Sequence, residues 1–328
     1  MTANDKSRSY VLPSLLKSAY HACNKIQRDM YDDLEVTDVD LRICCESLFK
    51  IVKLNSEGGG FDPLGDRRSM FAKAVHDDSI ENAVCEVAAF HGHLDCLRFA
   101  REIGVPWHDS SKCDQSACDQ AAYTGNLDCL VYAHENGSRW NTATCYTAAD
   151  AGQLECLRYA HENGCPWNKF TYSCAAITGH LECLRYAHEN GCPLDEYVCS
   201  DAAMGGHLDC LVYAHENGCP WNTVTCFMAA QGGQLECLRY AHENGCPWDE
   251  KTCSSAAKNG WLDCLRYAHE NGCPWDEKTC SSAAKNGWLD CLKFARENGC
   301  PWDKNTRSMA LKYGRLDCLK YALENGCS

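Results

Sequence analysis

The sequence is dominated by a four-residue pattern, Leu-(Asp or Glu)-Cys-Leu, that returns along the chain at a nearly constant interval. The leading leucines of its nine copies are Leu94, Leu127, Leu154, Leu181, Leu208, Leu235, Leu262, Leu289 and Leu316. The first interval is 33 residues, and each of the next seven is 27 residues. A fixed period in this range is typical of stacked repeat proteins, in which each unit buries its apolar face only against its neighbours. The repetition favours an extended binding surface over a unique catalytic site, and we expect no enzymatic activity.

The repeat that spans residues 249–273 indicates how one interval divides into two short helices. Asp249 has a side chain suited to capping the start of a helix, and Gly260 can adopt the left-handed conformation that ends one. A second helix is predicted from Leu262 to the Asn-Gly pair that ends at Gly272. Helices of about ten residues are too short to be stable alone. We therefore predict an all-α fold in which every repeat depends on its neighbours.

The second helix of this repeat is predicted to have one exposed stripe. Asp263, Arg266 and Glu270 lie together on the helical wheel, opposite a broad arc of apolar residues. Their spacing allows ion pairs worth about 0.2–0.5 kcal/mol each in an isolated helix. We interpret these charges as a solvated face.

Two of the copies read A-A-K-N-G-W-L-D-C-L and A-A-I-T-G-H-L-E-C-L. This core resembles the ankyrin repeat over about residues 77–328. The resemblance implies an ankyrin-like helical repeat solenoid that acts as a scaffold for protein–protein interaction. Two features depart from the family: its T-P-L-H opening is absent, and the 27-residue period is shorter than the family's 33. The resemblance assigns the missing residues to the β-hairpin finger between repeats, which only the Leu94–Leu127 unit keeps, around Asp109–Cys113.

Residues 1–76 do not repeat and form a separate segment. Amphipathic patterns predict helices at about 13–30, 38–54 and 66–75. We interpret this segment as a small helical N-terminal cap, because solenoids need a terminal unit with a polar outer face. The alternative is a small helical adaptor such as an F-box. In that case the protein is a substrate-recruiting adaptor of a ubiquitin ligase.

Charge and hydropathy restrict the classes of partner. The net charge of −14 argues against nucleic acid and anionic membranes. The polar N-terminus has no apolar signal core, and there is no apolar run of about 18 residues. We expect a cytoplasmic protein, with the nucleus as the alternative location. We also expect a monomer without a cofactor, whose partner is a protein that the residues do not identify.

The chain contains 28 cysteines, most of them in three columns in register with the repeat. In one repeat the three columns are represented by Cys253, Cys264 and Cys273. Because a long chain without a signal peptide is not expected to form disulfides, we interpret these residues as reduced thiols that fill the core. The alternative is a thiol-rich protein that binds metal or buffers redox state.

Two further columns contain histidine and tryptophan. The histidine column, represented by His269, lies four residues before the turn cysteine, a spacing that could serve a zinc site. The histidine falls at the edge of the buried arc, however, and no close C-x2-C pair accompanies it. We therefore predict packing histidines and no metal site. The tryptophan column, represented by Trp275, is predicted to cover the end of each helix pair.

The most variable column directly follows the alanine pair of each first helix. The resemblance to ankyrin repeats places this column along the concave binding groove. Its members are Phe90, Tyr123, Asp150, Ile177, Met204, Gln231, Lys258, Lys285 and Lys312. The column is mainly apolar or aromatic as far as Met204 and basic from Lys258 onward. We hypothesise a partner with apolar anchors for the first part and acidic groups for the second.

Four aromatic residues complete the set of candidate contacts. Tyr146 and Phe227 lie just before the alanine pair, and Trp261 and Trp288 precede the leading leucine in late repeats. The alternative is that these surface positions vary without constraint, since surface substitutions are usually tolerated. Residues 237–265 are identical to residues 264–292, so recent duplication also explains the neighbouring lysines.

Overall fold

A computed structural model describes residues 84–102, 104–107, 116–193 and 197–327 of the chain. These residues form 18 α-helices joined by short turns, and they contain no β-strand. The prediction of an all-α helical repeat fold is confirmed. The predicted N-terminal cap and its helices, and the finger predicted around Asp109–Cys113, lie outside the described residues.

The helices alternate between the first and the second helix of nine repeats. The first helices are α1 (Val84–Phe90), α3 (Ala117–Thr124), α5 (Thr142–Asp150), α7 (Lys169–Thr178), α9 (Val198–Gly205), α11 (Thr223–Gly232), α13 (Glu250–Asn259), α15 (Glu277–Asn286) and α17 (Lys304–Lys312). The second helices are α2 (Leu94–Glu102), α4 (Leu127–Glu135), α6 (Leu154–Glu162), α8 (Leu181–Glu189), α10 (Leu208–Glu216), α12 (Leu235–Glu243), α14 (Leu262–Glu270), α16 (Leu289–Glu297) and α18 (Leu316–Glu324).

The described residues belong to two compact units. The first ends at Ala148 and also includes Tyr159–Cys165, and the second includes Ala149–Arg158 and the residues from Pro166 onward. Within the first unit, α1 packs against α3, and within the second unit the first helices from α7 to α17 pack one after another. Each second helix of the second unit packs against the first helix of its own repeat and more lightly against its neighbouring second helices. The closest packing is therefore between first helices.

The ends of the first helices are defined by a side chain at one end and a glycine at the other. The carboxylate of Asp249 accepts a hydrogen bond of 3.0 Å from the backbone N–H of Lys251. At the other end, Gly260 has a φ of +83°, and its N–H donates to the carbonyl of Ala256. Such caps satisfy backbone groups that the helix leaves unpaired. The same arrangement recurs in neighbouring repeats, so the predicted boundaries are confirmed.

Small side chains form the core where the first helices meet. Ala256 and Ala257 are fully buried, as is Leu265 of the adjoining second helix. None of the described cysteines is in a disulfide, and all of them except Cys174 are buried, as expected of core residues. Burial of a leucine stabilises a fold by about 1.5–3 kcal/mol, and the alanines and cysteines beside it are smaller. A single repeat therefore gains too little to fold without its neighbours.

The cysteine that follows the turn at the end of a second helix also forms a hydrogen bond to the loop between repeats. The thiol of Cys273 donates to the backbone carbonyl of Asp249 with an Sγ–O distance of 3.3 Å. Cys300 makes the same contact with Asp276. Because Asp249 and Asp276 are the residues that cap the first helices, each thiol joins the end of a repeat to its own beginning.

Within each unit, aromatic clusters cover the ends of the helix pairs. His215 stacks on Trp221 with ring centroids 3.6 Å apart, and its Nδ1 is hydrogen-bonded to the hydroxyl of Tyr240 at 3.0 Å. An equivalent cluster surrounds His134 in the first unit. The tyrosine comes from the following repeat, so the cluster joins two repeats. The predictions of a packing histidine and of a tryptophan over the helix ends are confirmed.

The charged stripe of the second helices is exposed, as predicted. Asp263, Arg266 and Glu270 are all exposed. The guanidinium carbon of Arg266 lies 5.1 Å from the ring centroid of Phe294 in the next repeat, which is a cation–π distance. Ion pairs of 3.9–4.0 Å occur in two equivalent stripes, but exposed pairs contribute little to stability. The stripe therefore adds a contact between repeats that the predicted ion pairs did not include.

The left-handed glycines provide a matched test of the repeat boundaries. Gly260 and Gly272 have φ angles of +83° and +85°, but a Cβ added at Gly260 would lie 2.5 Å from the ring of Trp288, whereas one at Gly272 has no neighbour within 4 Å. We expect Gly272→Ala to lower the free energy of unfolding by about 1–2 kcal/mol, the cost of a left-handed backbone. Gly260→Ala should lower it by more, as measured by urea unfolding.

A double variant supplies the control. In a Trp288→Ala background, the cost of Gly260→Ala should fall to that of Gly272→Ala, because the ring that meets the new Cβ is gone. Equal costs of the two glycine substitutions in the wild-type background would contradict the contact between Gly260 and Trp288.

Candidate partner-binding surface

The main candidate contact residues lie in the last turn of each first helix, directly after the alanine pair. We call this set the helix-one column: Phe90, Tyr123, Asp150, Ile177, Met204, Gln231, Lys258, Lys285 and Lys312. None of its members is buried: the aromatic residues, the methionine and the lysines are exposed, and the others are half-buried. Helix geometry explains this, because the residue after an alanine that faces the core is rotated by about 100° around the helix axis.

The backbone of the helix-one column is held in place by the next repeat. The indole Nε1 of Trp288 donates to the carbonyl of Lys258 at 3.0 Å, and Trp261 makes the same bond to Gln231. In the first unit, the side-chain amide of Asn126 donates to the carbonyl of Phe90 at 2.9 Å. The column residues therefore project from a backbone whose last helical carbonyls are paired.

Trp261 and Trp288 thus have a structural role as well as a candidate contact role. Both are 44% exposed, so a partner can reach them. Each ring also lies against the left-handed glycine of the preceding repeat, which for Trp261 is Gly233. The residue pattern predicted the exposed rings but not these contacts, which join residues about one repeat apart.

The second unit contains both the apolar and the basic parts of the helix-one column. Met204 is 36% exposed and Ile177 is half-buried, whereas the lysines are exposed. The ammonium group of Lys285 lies 5.1 Å from the ring centroid of Tyr313, an exposed residue that was not among the predicted contacts. The sequence could have indicated this contact, because tyrosine replaces the asparagine found at this position in the two preceding repeats.

In the first unit, the helix-one column contributes two aromatic rings from adjacent repeats. Phe90 is 39% exposed and Tyr123 is 47% exposed. Their rings are nearly parallel, with an interplanar angle of 18° and centroids 6.5 Å apart. A cavity of about 150 Å³ is lined by these two rings and by Asp119, Gln120 and Thr147. We call it the aromatic slot.

Asp119 gives the aromatic slot a buried carboxylate. The residue is only 2% exposed, and burial raises its pKa above the usual range of an aspartate. Its Oδ2 accepts a 2.8 Å bond from the backbone N–H of Ser116, and its Oδ1 accepts a bond from the hydroxyl of Thr144. Both donors are uncharged and oppose the rise in pKa. The sequence analysis did not single out Asp119, although its position is serine in five of the nine repeats and acidic only here and at Glu86.

Tyr146 and Phe227, the candidates that precede the alanine pair, are half-buried. A wide hollow of about 630 Å³ also lies on the second-helix side of the second unit, with walls that include His207, Asp209 and Val212. Val212 occupies the position that is Arg185 in the preceding repeat and arginine in the following one. The hollow therefore lies where a short side chain replaces a long one. It was not predicted.

The arrangement offers surfaces for contact and little for chemistry. Among the described residues, no group of three or more histidines, cysteines or acidic residues is placed to hold a metal ion. His134, His215, His242 and His269 each stack on a tryptophan ring. No helix within the described ranges is long and apolar enough to cross a bilayer.

Comparison with protein families finds a match in each of the two units. Residues 85–134 and 199–242 match the sequence model of a family described as ankyrin repeats in many copies. The two matches lie in different units and include the helix-one column residues Phe90, Tyr123, Met204 and Gln231. A comparison with curated proteins finds no match. The resemblance to ankyrin repeats is confirmed by the family match.

Buried thiols predict slow alkylation in the native state. Burial raises the pKa of Cys264 and Cys291 to about 12 each, from an ordinary 9.0, so about a thousandfold less thiolate is present at neutral pH. We expect iodoacetamide at pH 7.5 to modify both at least about 100-fold more slowly in the native protein than in denaturant. Mass spectrometry can follow them separately, because their tryptic peptides end in arginine and lysine respectively. Rapid native labelling would favour the redox alternative.

Proposed function

Since residues 85–134 and 199–242 match the ankyrin-repeat family, we propose that the protein is a non-catalytic scaffold that binds a protein partner along the helix-one column. Ankyrin repeats are generally protein–protein interaction modules, and the family is typically without enzymatic activity. One observation carries the proposal: equivalent positions in nine repeats are all accessible, while the alanine pair beside them is buried in the eight repeats that have it. These are the positions at which the repeats differ most.

The chemistry of the second unit indicates what the partner must present. Ile177 and Met204 offer apolar contact, and exposed methionine adapts its shape to different partners. Lys258 and Lys285 offer positive charge on a surface whose chain carries a net charge of −14. Complementary charges set the rate and orientation of association more than its strength. We infer a partner with an apolar segment and an acidic segment.

The location and assembly of the protein belong to the same proposal. We place it in the cytoplasm or nucleus as a monomer, as the sequence predicts. The ligase-adaptor alternative depends on residues 1–76, which lie outside the described residues, and stays a prediction. The metal or redox alternative is disfavoured, because the described thiols are almost all buried and carry raised pKa values in most repeats.

The test is affinity capture from a native cell extract with matched variants. Ile177→Ser with Met204→Ser removes the apolar contacts, and Lys258→Glu with Lys285→Glu reverses the charge of the basic part. We expect each pair to abolish capture of a partner that the wild type retains, with unchanged circular dichroism.

The control is Lys293→Glu with Lys320→Glu, which makes the same change of charge on the second helices α16 and α18. These residues lie away from the helix-one column, so this variant should capture the partner as the wild type does. Capture by all variants alike would contradict a role for the column.

A further inference from the structure

We propose that the aromatic slot of the first unit binds the guanidinium group of an arginine side chain presented by the protein partner. This inference rests on the proposed function and adds the chemistry of one contact to it. It concerns Phe90, Tyr123 and Asp119, all of which belong to the first unit.

The two rings are close to the arrangement that holds a flat group. Aromatic carbons make optimal contact with another atom at about 3.5–4.0 Å, so a planar group between two parallel rings needs centroids roughly 7 Å apart. The rings of Phe90 and Tyr123 are 6.5 Å apart and within 18° of parallel. A small rotation of either exposed side chain away from the other ring provides the remaining space. Guanidinium is planar and stacks on aromatic faces, whereas an ammonium group is a compact point charge.

The carboxylate of Asp119 selects a cation. Its neighbours in the structure are uncharged donors, and burial makes its negative charge costly. A guanidinium in the aromatic slot brings a positive charge and several N–H donors to this side chain. Charge-assisted hydrogen bonds are about twice as strong as neutral ones. The face of each ring, which is the negative end of the quadrupole, favours the same ligand.

The pairing of an acid with an aromatic residue is confined to the first two repeats. Glu86 precedes Phe90 by four residues, as Asp119 precedes Tyr123. Glu86 is also buried, at 8% exposed. In the seven later repeats, the first of these two positions is never acidic and the second is never aromatic. Buried carboxylates are costly, so an acid one helical turn before an exposed aromatic residue in both repeats is unexpected for a surface selected only for packing.

The test measures binding of capped pentapeptides to the full chain. The probe is acetyl-Gly-Gly-Arg-Gly-Gly-amide, and its analogues carry citrulline, lysine or trimethyllysine in place of arginine. Ring-labelled phenylalanine gives a spectrum with 8 phenylalanines, in which Phe90 is assigned from a Phe90→Leu variant. We expect a saturable shift of the Phe90 signal with the arginine peptide and binding at least about tenfold weaker with citrulline, which has the same shape without the charge.

Three variants identify the groups responsible. Asp119→Asn keeps the shape of the side chain and should weaken arginine binding by at least about tenfold. Tyr123→Leu, at an exposed position, should abolish the shift without unfolding the protein. Met204→Ala changes the helix-one column of the second unit and should leave binding unchanged. Equal binding of the citrulline peptide, tighter binding of either lysine peptide, or no shift at all would overturn the proposal.

The outcome is separable from that of the capture experiment. If the slot binds no arginine peptide but capture still depends on Ile177, Met204 and the lysines, the scaffold function stands and the arginine contact is wrong. If arginine binds in the slot but no variant of the second unit affects capture, the arginine contact stands, and the role of the helix-one column in the second unit is wrong.

Discussion

The structure depends on the close approach of consecutive first helices within a unit. Residues such as Ala256 and Ala257 are fully buried, because a larger side chain at either position would separate the helices. The same requirement explains why cysteine, a small apolar residue, recurs in the core. In α17 the second alanine is replaced by Leu311, which is 65% exposed. Alanine is retained where another first helix packs against it.

A core of small residues gives each repeat little hydrophobic stabilisation, and contacts outside the core supply part of the remainder. His215, Trp221 and Tyr240 join two repeats through stacking and a hydrogen bond. Arg266 over Phe294 joins the next pair. Each such contact contributes about 0.5–1.5 kcal/mol, but it is repeated along the unit. These contacts lie at the ends and on the second-helix side of the repeats. The helix-one column is thereby left with side chains that are exposed or half-buried.

The sequence predicted what is encoded within one repeat. Asp249 and Gly260 mark the ends of a helix through local backbone chemistry, and the three cysteine columns mark the core through periodicity. It did not predict contacts between residues of different repeats. The indole of Trp288 on the carbonyl of Lys258 is one such contact, and the nearly parallel rings of Phe90 and Tyr123 are another. Both depend on how far one repeat is displaced from the next, which no residue pattern within a repeat specifies.

In each first helix, the residues that pack in the core and those exposed at the surface occupy different positions. This explains which positions differ in sequence between repeats. A substitution at Ala257 changes the distance between helices, whereas one at Lys258, the next residue, changes only what the surface presents. The backbone at this position is nevertheless fixed, because the carbonyl of Lys258 is bonded to Trp288. Side chains on a fixed backbone lose little entropy of the main chain on binding. The helix-one column can therefore acquire aromatic, acidic or basic residues at small cost in stability. Buried Asp119 differs from the column residues: its carboxylate caps α3 through the N–H of Ser116, and burial still raises its pKa, so a cation in the aromatic slot lowers the cost of its charge.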